Sequence, residues 1–372
     1  MKSRSISLSL TTAIIYNIHM QQSKKKLIQF GAGNIGRSFI GRVFACNGYE
    51  VVFIDIDDTL VQEINRKGKY RVIIKRNERE DEEITVTGVR SVNGRDTASV
   101  GEEISSADYI TTSVGKGALQ HILPVIAEGL KKRPNQRPID IIIAENIRDG
   151  ADLFRRELRK QLPEGFPLQQ TVGLVETSIG KMVPIMREED RKTDPLWVFS
   201  EEYNTLILDK HGFIGGIPDF PEIKAVENIT AYVDRKLFIH NMGHAAAAYL
   251  GYASDPEFTY IWEPLERDDI RDRVRRAMEQ SGEALHAEYP NDLAPAGLRD
   301  HIDDLLSRFR NRALGDTVFR VGRDLYRKLG KDDRLVGAML LAEKHGLPFD
   351  AVADAAAAGF TFRGTDENGK LY

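Results

Sequence analysis

Leu27-Ile28-Gln29-Phe30-Gly31-Ala32-Gly33-Asn34-Ile35-Gly36 is the stretch that decides how the first half of the chain folds. The apolar run reads as a strand, and the G-x-G-x-x-G after it opens a helix. In that spacing Gly31 serves the tight turn, Gly33 the close approach of a pyrophosphate, and Gly36 the contact of helix with strand. Ala32, Asn34 and Ile35 complete the cradle, where the helix N-terminus presents free N–H groups to phosphate oxygens. A second apolar run over 51–56 carries Asp55 about twenty residues further on, where a carboxylate accepts hydrogen bonds from adenosine ribose hydroxyls. Such a carboxylate repels a 2′-phosphate, so the reading is NAD rather than NADP.

Outward from this turn, short apolar runs over 110–113, 141–144 and 172–175 alternate with helical patterns such as 35–47 and 119–132. Runs of this kind fit parallel strands buried on both faces. The alternation implies right-handed crossovers and a doubly wound α/β sheet of Rossmann type. Thr112 and Val114 end one of those strands, at the edge where cofactors lie in open α/β sheets. Alternating Ile and Val among charges over 71–89 predicts an antiparallel hairpin inserted in this domain, and 197–214 adds one or two strands. From Ile223 onward the pattern is helical, with segments over 226–250, 263–288, 298–310, 317–329, 333–345 and 351–358. The expected organisation is a dinucleotide-binding domain over 20–195 and a mainly α-helical domain over 196–372.

The chain has 372 residues, 41% apolar and 29% charged, with a net charge of −4. That balance gives no general attraction to nucleic acid or to anionic membranes. Cys46 is the single cysteine, which excludes an intrachain disulfide and a multi-thiolate zinc site and suits a reducing compartment, most simply the cytoplasm. Lys2 and Arg4 precede an apolar stretch over 6–15, but Ser and Thr interrupt it and it is too short to span a membrane. Translation starting at Met20 is the plainer reading. No other segment approaches the length of a membrane span.

The chemistry is expected on the helix over 234–250. Lys236, Asn241 and His244 fall on an arc of about 140° at 3.6 residues per turn. Alone, Lys236 would read as a snorkelling surface lysine and His244 as a satisfied core histidine. Together, on a largely buried helix beside a nucleotide domain, they point to catalysis. The nine residues 236–244 match the K-x4-N-x2-H signature, and the chain resembles the polyol-specific long-chain dehydrogenases, the mannitol dehydrogenase family. The likeness extends through 30–37, 111–115, Glu145-Asn146, 243–245, 249–251, 320–323 and 327–329.

That resemblance implies a metal-independent enzyme in which Lys236 is the general acid/base. Asn241 and Asn146 would hold the oxygen on which charge develops, and His244 would orient the substrate. The expected partner is a sugar alcohol or sugar phosphate, foremost mannitol 1-phosphate interconverted with fructose 6-phosphate, in a monomer or small homo-oligomer. An unphosphorylated polyol, or a hexuronate/hexonate pair, is the alternative. A non-catalytic NAD-sensing module would predict a degraded lysine–asparagine–histidine set. Gly180-Lys181 stands where family members commonly carry Asp-Arg, which removes a carboxylate and the guanidinium fork. Arg320, Arg323, Arg327 and Lys328 are helically spaced, and read either as a solvated face or as a clamp for a substrate phosphate.

Overall fold

The structure, a computed structural model, describes residues 24–365. The reading of the N-terminal stretch before Met20 lies outside the described residues. Eleven strands occur among the described residues. They are β1 (Lys26–Phe30), β2 (Glu50–Asp55), β3 (Lys69–Ile74), β4 (Glu82–Thr87), β5 (Val89–Asn93) and β6 (Tyr109–Thr112), then β7 (Ile139–Ile143), β8 (Val172–Ser178), β9 (Val198–Ser200), β10 (Leu206–Asp209) and β11 (Ile223–Val226).

The large sheet runs β5-β2-β1-β6-β7-β8-β10-β11. Its first six strands are parallel throughout, in the order of a doubly wound dinucleotide fold. Val, Ile and Phe fill both faces because helices cover both. Ile28, Phe30 and Ile110 pack into one apolar cluster, Leu27, Val51 and Phe53 into another. The first two strands pair in register from Lys26–Glu50 to Phe30–Ile54, which brings the ends of both to the glycine turn. Strand β10 then runs antiparallel to β8 and parallel to β11, so the sheet continues to Val226.

The expected hairpin forms from β3 and β4, antiparallel from Lys69–Thr87 to Ile74–Glu82. It ends earlier than the alternation suggested. Gly88 has a positive φ of 74° and turns the chain, so Val89 begins the edge strand of the large sheet. β9 joins β3 in parallel, completing a separate three-stranded sheet.

After β11 the chain is helical. The segments expected as single helices over 263–288 and 317–329 are each divided. Arg267 is extended between Trp262–Glu266 and Asp268–Glu288. Asp324, with φ at 71°, separates Val318–Gly322 from Leu325–Lys328. Ala245 to Ala248 are fully buried at the centre of this half, where small side chains let Asp268–Glu288, Asp350–Phe360 and Val318–Gly322 approach the helix Met242–Ser254. Among the described residues no helix is long and apolar enough to cross a membrane.

Candidate active site

Gly31, with φ at 90°, follows β1, and a Cβ there would lie 2.7 Å from the Ser113 carbonyl oxygen. A Cβ on Gly36 would lie 2.0 Å from the Gly31 carbonyl oxygen, so helix and turn touch through the missing side chain. At Gly33, by contrast, a Cβ would meet nothing within 4 Å. That open face is where the backbone could receive a pyrophosphate. The helix begins at Asn34, leaving the amides at its start without intrahelical acceptors. Arg37, which the sequence reading did not single out, braces the cradle from inside: buried, it donates from Nε to Ala32 O (2.6 Å) and from Nη1 to Leu196 O (2.8 Å). Burial pulls this guanidinium down to about 10.

Asp55 closes β2 beside the turn. One carboxylate oxygen accepts the Ala32 N–H at 2.7 Å, and the other accepts Ile56 N–H at 2.8 Å and Asp57 N–H at 3.1 Å. The residue expected to meet a ribose therefore also shapes the glycine turn. Thr112 and Val114 stand at the end of β6. The Val114 and Gly115 N–H groups donate to the buried Glu145 carboxylate at 2.8 and 2.9 Å, which ties this turn to the segment after β7. Burial raises the Glu145 carboxyl above its ordinary value.

The helix Ile229–Arg235 packs its Ile229 on Ile207 and Val226 of the large sheet. Ser178 Oγ donates to Tyr232 O at 2.9 Å from β8. Six residues, Lys236–Asn241, then form a π turn, in which Met242 N–H bonds the Leu237 carbonyl five residues back. The 140° separation expected of an α-helix is thereby narrowed: Lys236 and Asn241, five residues apart, come nearer to one side, and a π turn is often found at functional sites.

Lys236 Nζ donates to Asn146 Oδ1 at 3.0 Å, and no carboxylate among the described residues pairs with it. Burial first, and then the Arg334 charge, lower this ammonium from 10.5 to about 8. Lys236, Asn146 and Asn241 line one cavity of about 340 Å³, together with Arg327, a volume within the range of small-molecule sites. Arg334, absent from the sequence reading, lines it as well.

His244, Arg323 and Lys328 are not among the residues lining that cavity. The His244 ring stacks on Phe309, centroids 4.7 Å apart and planes at 10°, with Nε2 3.4 Å from Asp316 Oδ2. Burial and then the charges of Arg320 and Arg334 push it down to about 3, so it is neutral at any ordinary pH. Lys328 is buried, its ammonium donating to Val321 O, and Arg323 is exposed. Arg320 pairs with Asp316, and Arg327 with Asp324 and Asp333. The break at Asp324 takes these four cations off the single helical face that their spacing suggested.

At the position of the missing Asp-Arg pair, Arg308 from the helix Pro295–Phe309 donates to Gly180 O at 2.6 Å and to both oxygens of buried Glu201. Lys181 turns inward onto Glu201 O and Tyr203 O. No sequence signal links Arg308 to residues more than a hundred positions away.

Two family models divide the chain between them. The mannitol dehydrogenase Rossmann domain matches residues 25–222, and the mannitol dehydrogenase C-terminal domain matches residues 228–372. The chain belongs to the mannitol dehydrogenase family. Among curated family members, it is 35% identical to a mannitol-1-phosphate 5-dehydrogenase of Brevibacillus brevis over 339 residues, 90% of this chain and 85% of the relative. Among solved structures of the same fold, a D-sorbitol dehydrogenase in substrate-free form superposes with a TM-score of 0.79 at 16% identity, covering 94% of this chain and 82% of that one. A Pseudomonas fluorescens mannitol 2-dehydrogenase, in a ternary complex with NAD and D-mannitol, gives 0.68 at 15% identity and the same coverages.

Proposed function

We propose that this member of the mannitol dehydrogenase family is an NAD-dependent, lysine-based dehydrogenase whose preferred pair is D-mannitol 1-phosphate and D-fructose 6-phosphate. The observation that carries the reading is Lys236: an amine without a carboxylate partner among the described residues, bonded to Asn146 and lining a cavity at the carboxyl edge of the sheet. Gly31, Ala32, Gly33, Asn34, Ile35 and Gly36 would hold the pyrophosphate of NAD, with Asp55 at the adenosine ribose and Thr112 and Val114 alongside. The open face of Gly33 and the amides at the helix start, which have no intrahelical acceptors, fit that group. NAD held there would supply the acceptor for the hydride of the carbinol carbon.

Lys236 takes the hydroxyl proton. With its proton affinity lowered to about 8, roughly a tenth of it is neutral at pH 7, far more than for a lysine at its ordinary value. Asn146 uses Oδ1 for the lysine, which leaves its amide N–H2 to donate to the oxygen on which charge develops. Asn241, brought nearer to the same side by the π turn, supplies a second donor. His244, expected to orient substrate, is held neutral and stacks on Phe309 outside the residues lining the cavity, so it contributes no acid there. In this reading Arg327 is the cavity-facing member of the expected phosphate clamp of Arg323, Arg327 and Lys328. Burial of Lys328 and exposure of Arg323 favour the second reading, an unphosphorylated polyol.

A panel of polyols, polyol phosphates and uronates, assayed by NADH absorbance, decides between them. The expected result is highest kcat/KM for mannitol 1-phosphate. Equal or better turnover of plain mannitol or of a uronate would replace the substrate assignment.

A further inference from the structure

The cavity that Lys236 lines also carries a guanidinium with only part of its donor set engaged. Arg334 has 12% of its side chain exposed, and Asp333 holds it at one corner only, accepting its Nε–H at 2.7 Å and its backbone N–H at 2.8 Å. Its two terminal nitrogens lie on the fork side and have no hydrogen-bond partner among the described residues. Asp333 also receives Arg327 Nη1 at 3.2 Å, so one carboxylate fixes two arginines side by side on the same cavity. Unpaired donors on a fixed planar fork suit a phosphate, whose oxygens accept two parallel N–H bonds.

We propose that Arg334, with Arg327 beside it, receives the phosphate of a phosphorylated polyol in the cavity that Lys236 and Asn146 line, so that filling the site and neutralising the charge that shares the cavity with the general base are one event. The inference rests on the phosphorylated-substrate reading above.

The groups around Lys236 are accounted for. Glu145 is engaged by the Val114 and Gly115 amides, and Arg148 by Asp234. Lys116 and Asp332 reach the cavity from exposed positions, without ion pairs among the described residues. On its own helix Arg235 sits over the Tyr232 ring, and buried His240 is held neutral by burial. Behind burial, Arg334 is the charge that lowers the lysine's proton affinity, and it acts in the same sense on His244 and Lys328. A phosphate dianion on Arg334 cancels that charge. Lys236 then binds its proton more tightly in the loaded site than in the empty one.

The test compares Arg334→Gln and Arg334→Lys with the unmodified enzyme, on mannitol 1-phosphate and on mannitol, with inorganic phosphate as a competitor and NADH binding as the folding control. For Arg334→Gln, KM for mannitol 1-phosphate should rise at least about tenfold more than KM for mannitol, the size of one lost charge-assisted bond. Inhibition of mannitol oxidation by inorganic phosphate should weaken in parallel. The rising limb of kcat/KM for mannitol should move upward in pH for Arg334→Gln and stay in place for Arg334→Lys, which keeps the charge without the fork. If the enzyme ignores phosphorylated substrates, the substrate reading falls, while phosphate inhibition and the pH limb still test Arg334. Unchanged phosphate inhibition and an unchanged KM ratio in Arg334→Gln would overturn the assignment, and an unmoved limb would overturn the coupling.

Discussion

At the scale of the residue, Lys236 is the group on which the proposed chemistry turns. Lys236→Ala should lower kcat by a hundredfold to ten-thousandfold, the usual contribution of a general acid/base, while NADH titration gives an unchanged affinity. The sign of the pH dependence follows from the depressed lysine. The neutral amine needed for alcohol oxidation accumulates above about 8, and the ammonium needed for ketone reduction persists below it. Oxidation should therefore rise through that pH and reduction should fall, and both limbs should vanish in the variant. More than about a tenth of the original turnover in Lys236→Ala would leave the lysine a structural role. The pairing of Lys236 with Asn241 was legible from spacing, because both types recur in a recognisable pattern. Arg334 was not. Its importance comes from a cavity wall that the chain reaches only after ninety-eight further residues and a helix break at Asp324.

At the scale of the element, the glycine turn separates two reasons for lacking a side chain. Gly36→Ala drives a methyl to within 2.0 Å of the Gly31 carbonyl oxygen, so the turn must deform. The melting temperature should fall and NADH binding should be lost together. At Gly33 an added methyl finds no described neighbour within 4 Å, so the melting temperature should hold while NADH affinity falls, as calorimetry can read from one sample. A fall in melting temperature for Gly33→Ala equal to that for Gly36→Ala would remove the distinction. These roles were readable in advance because a G-x-G-x-x-G after a strand constrains backbone geometry locally. The π turn at Lys236–Asn241 was not, since its apolar pattern is compatible with an uninterrupted α-helix and the extra residue per turn shows only in the hydrogen bonds.

At the scale of the whole molecule, the helical half is tied to the N-terminal half by the pair of Arg308 with Glu201, which follows β9; Glu201 is buried and Arg308 has 11% of its side chain exposed. Arg308→Ala leaves the Glu201 carboxylate buried without its partner, a change that typically costs about 3–5 kcal/mol. Denaturant unfolding should show that loss, and Arg308→Lys should recover only part of it, since an ammonium cannot reach Gly180 O and both carboxylate oxygens at once. A loss below about 1 kcal/mol would place the pair among those that add nothing measurable. The alternation of strands and helices revealed both architectures, but not where they are joined. The helix Ile229–Arg235 packs on the sheet and Met242–Ser254 forms the centre of the helical half, so the π turn is itself the joint. Grafting between relatives inherits this arrangement. A chimera that crosses over just after Asn241 keeps the lysine–asparagine constellation of one parent and takes the arginine wall of the other. A crossover at the boundary between the two family matches, near residue 227, splits that constellation between parents. Exchange of substrate preference with retained turnover is therefore expected only from the first kind of splice.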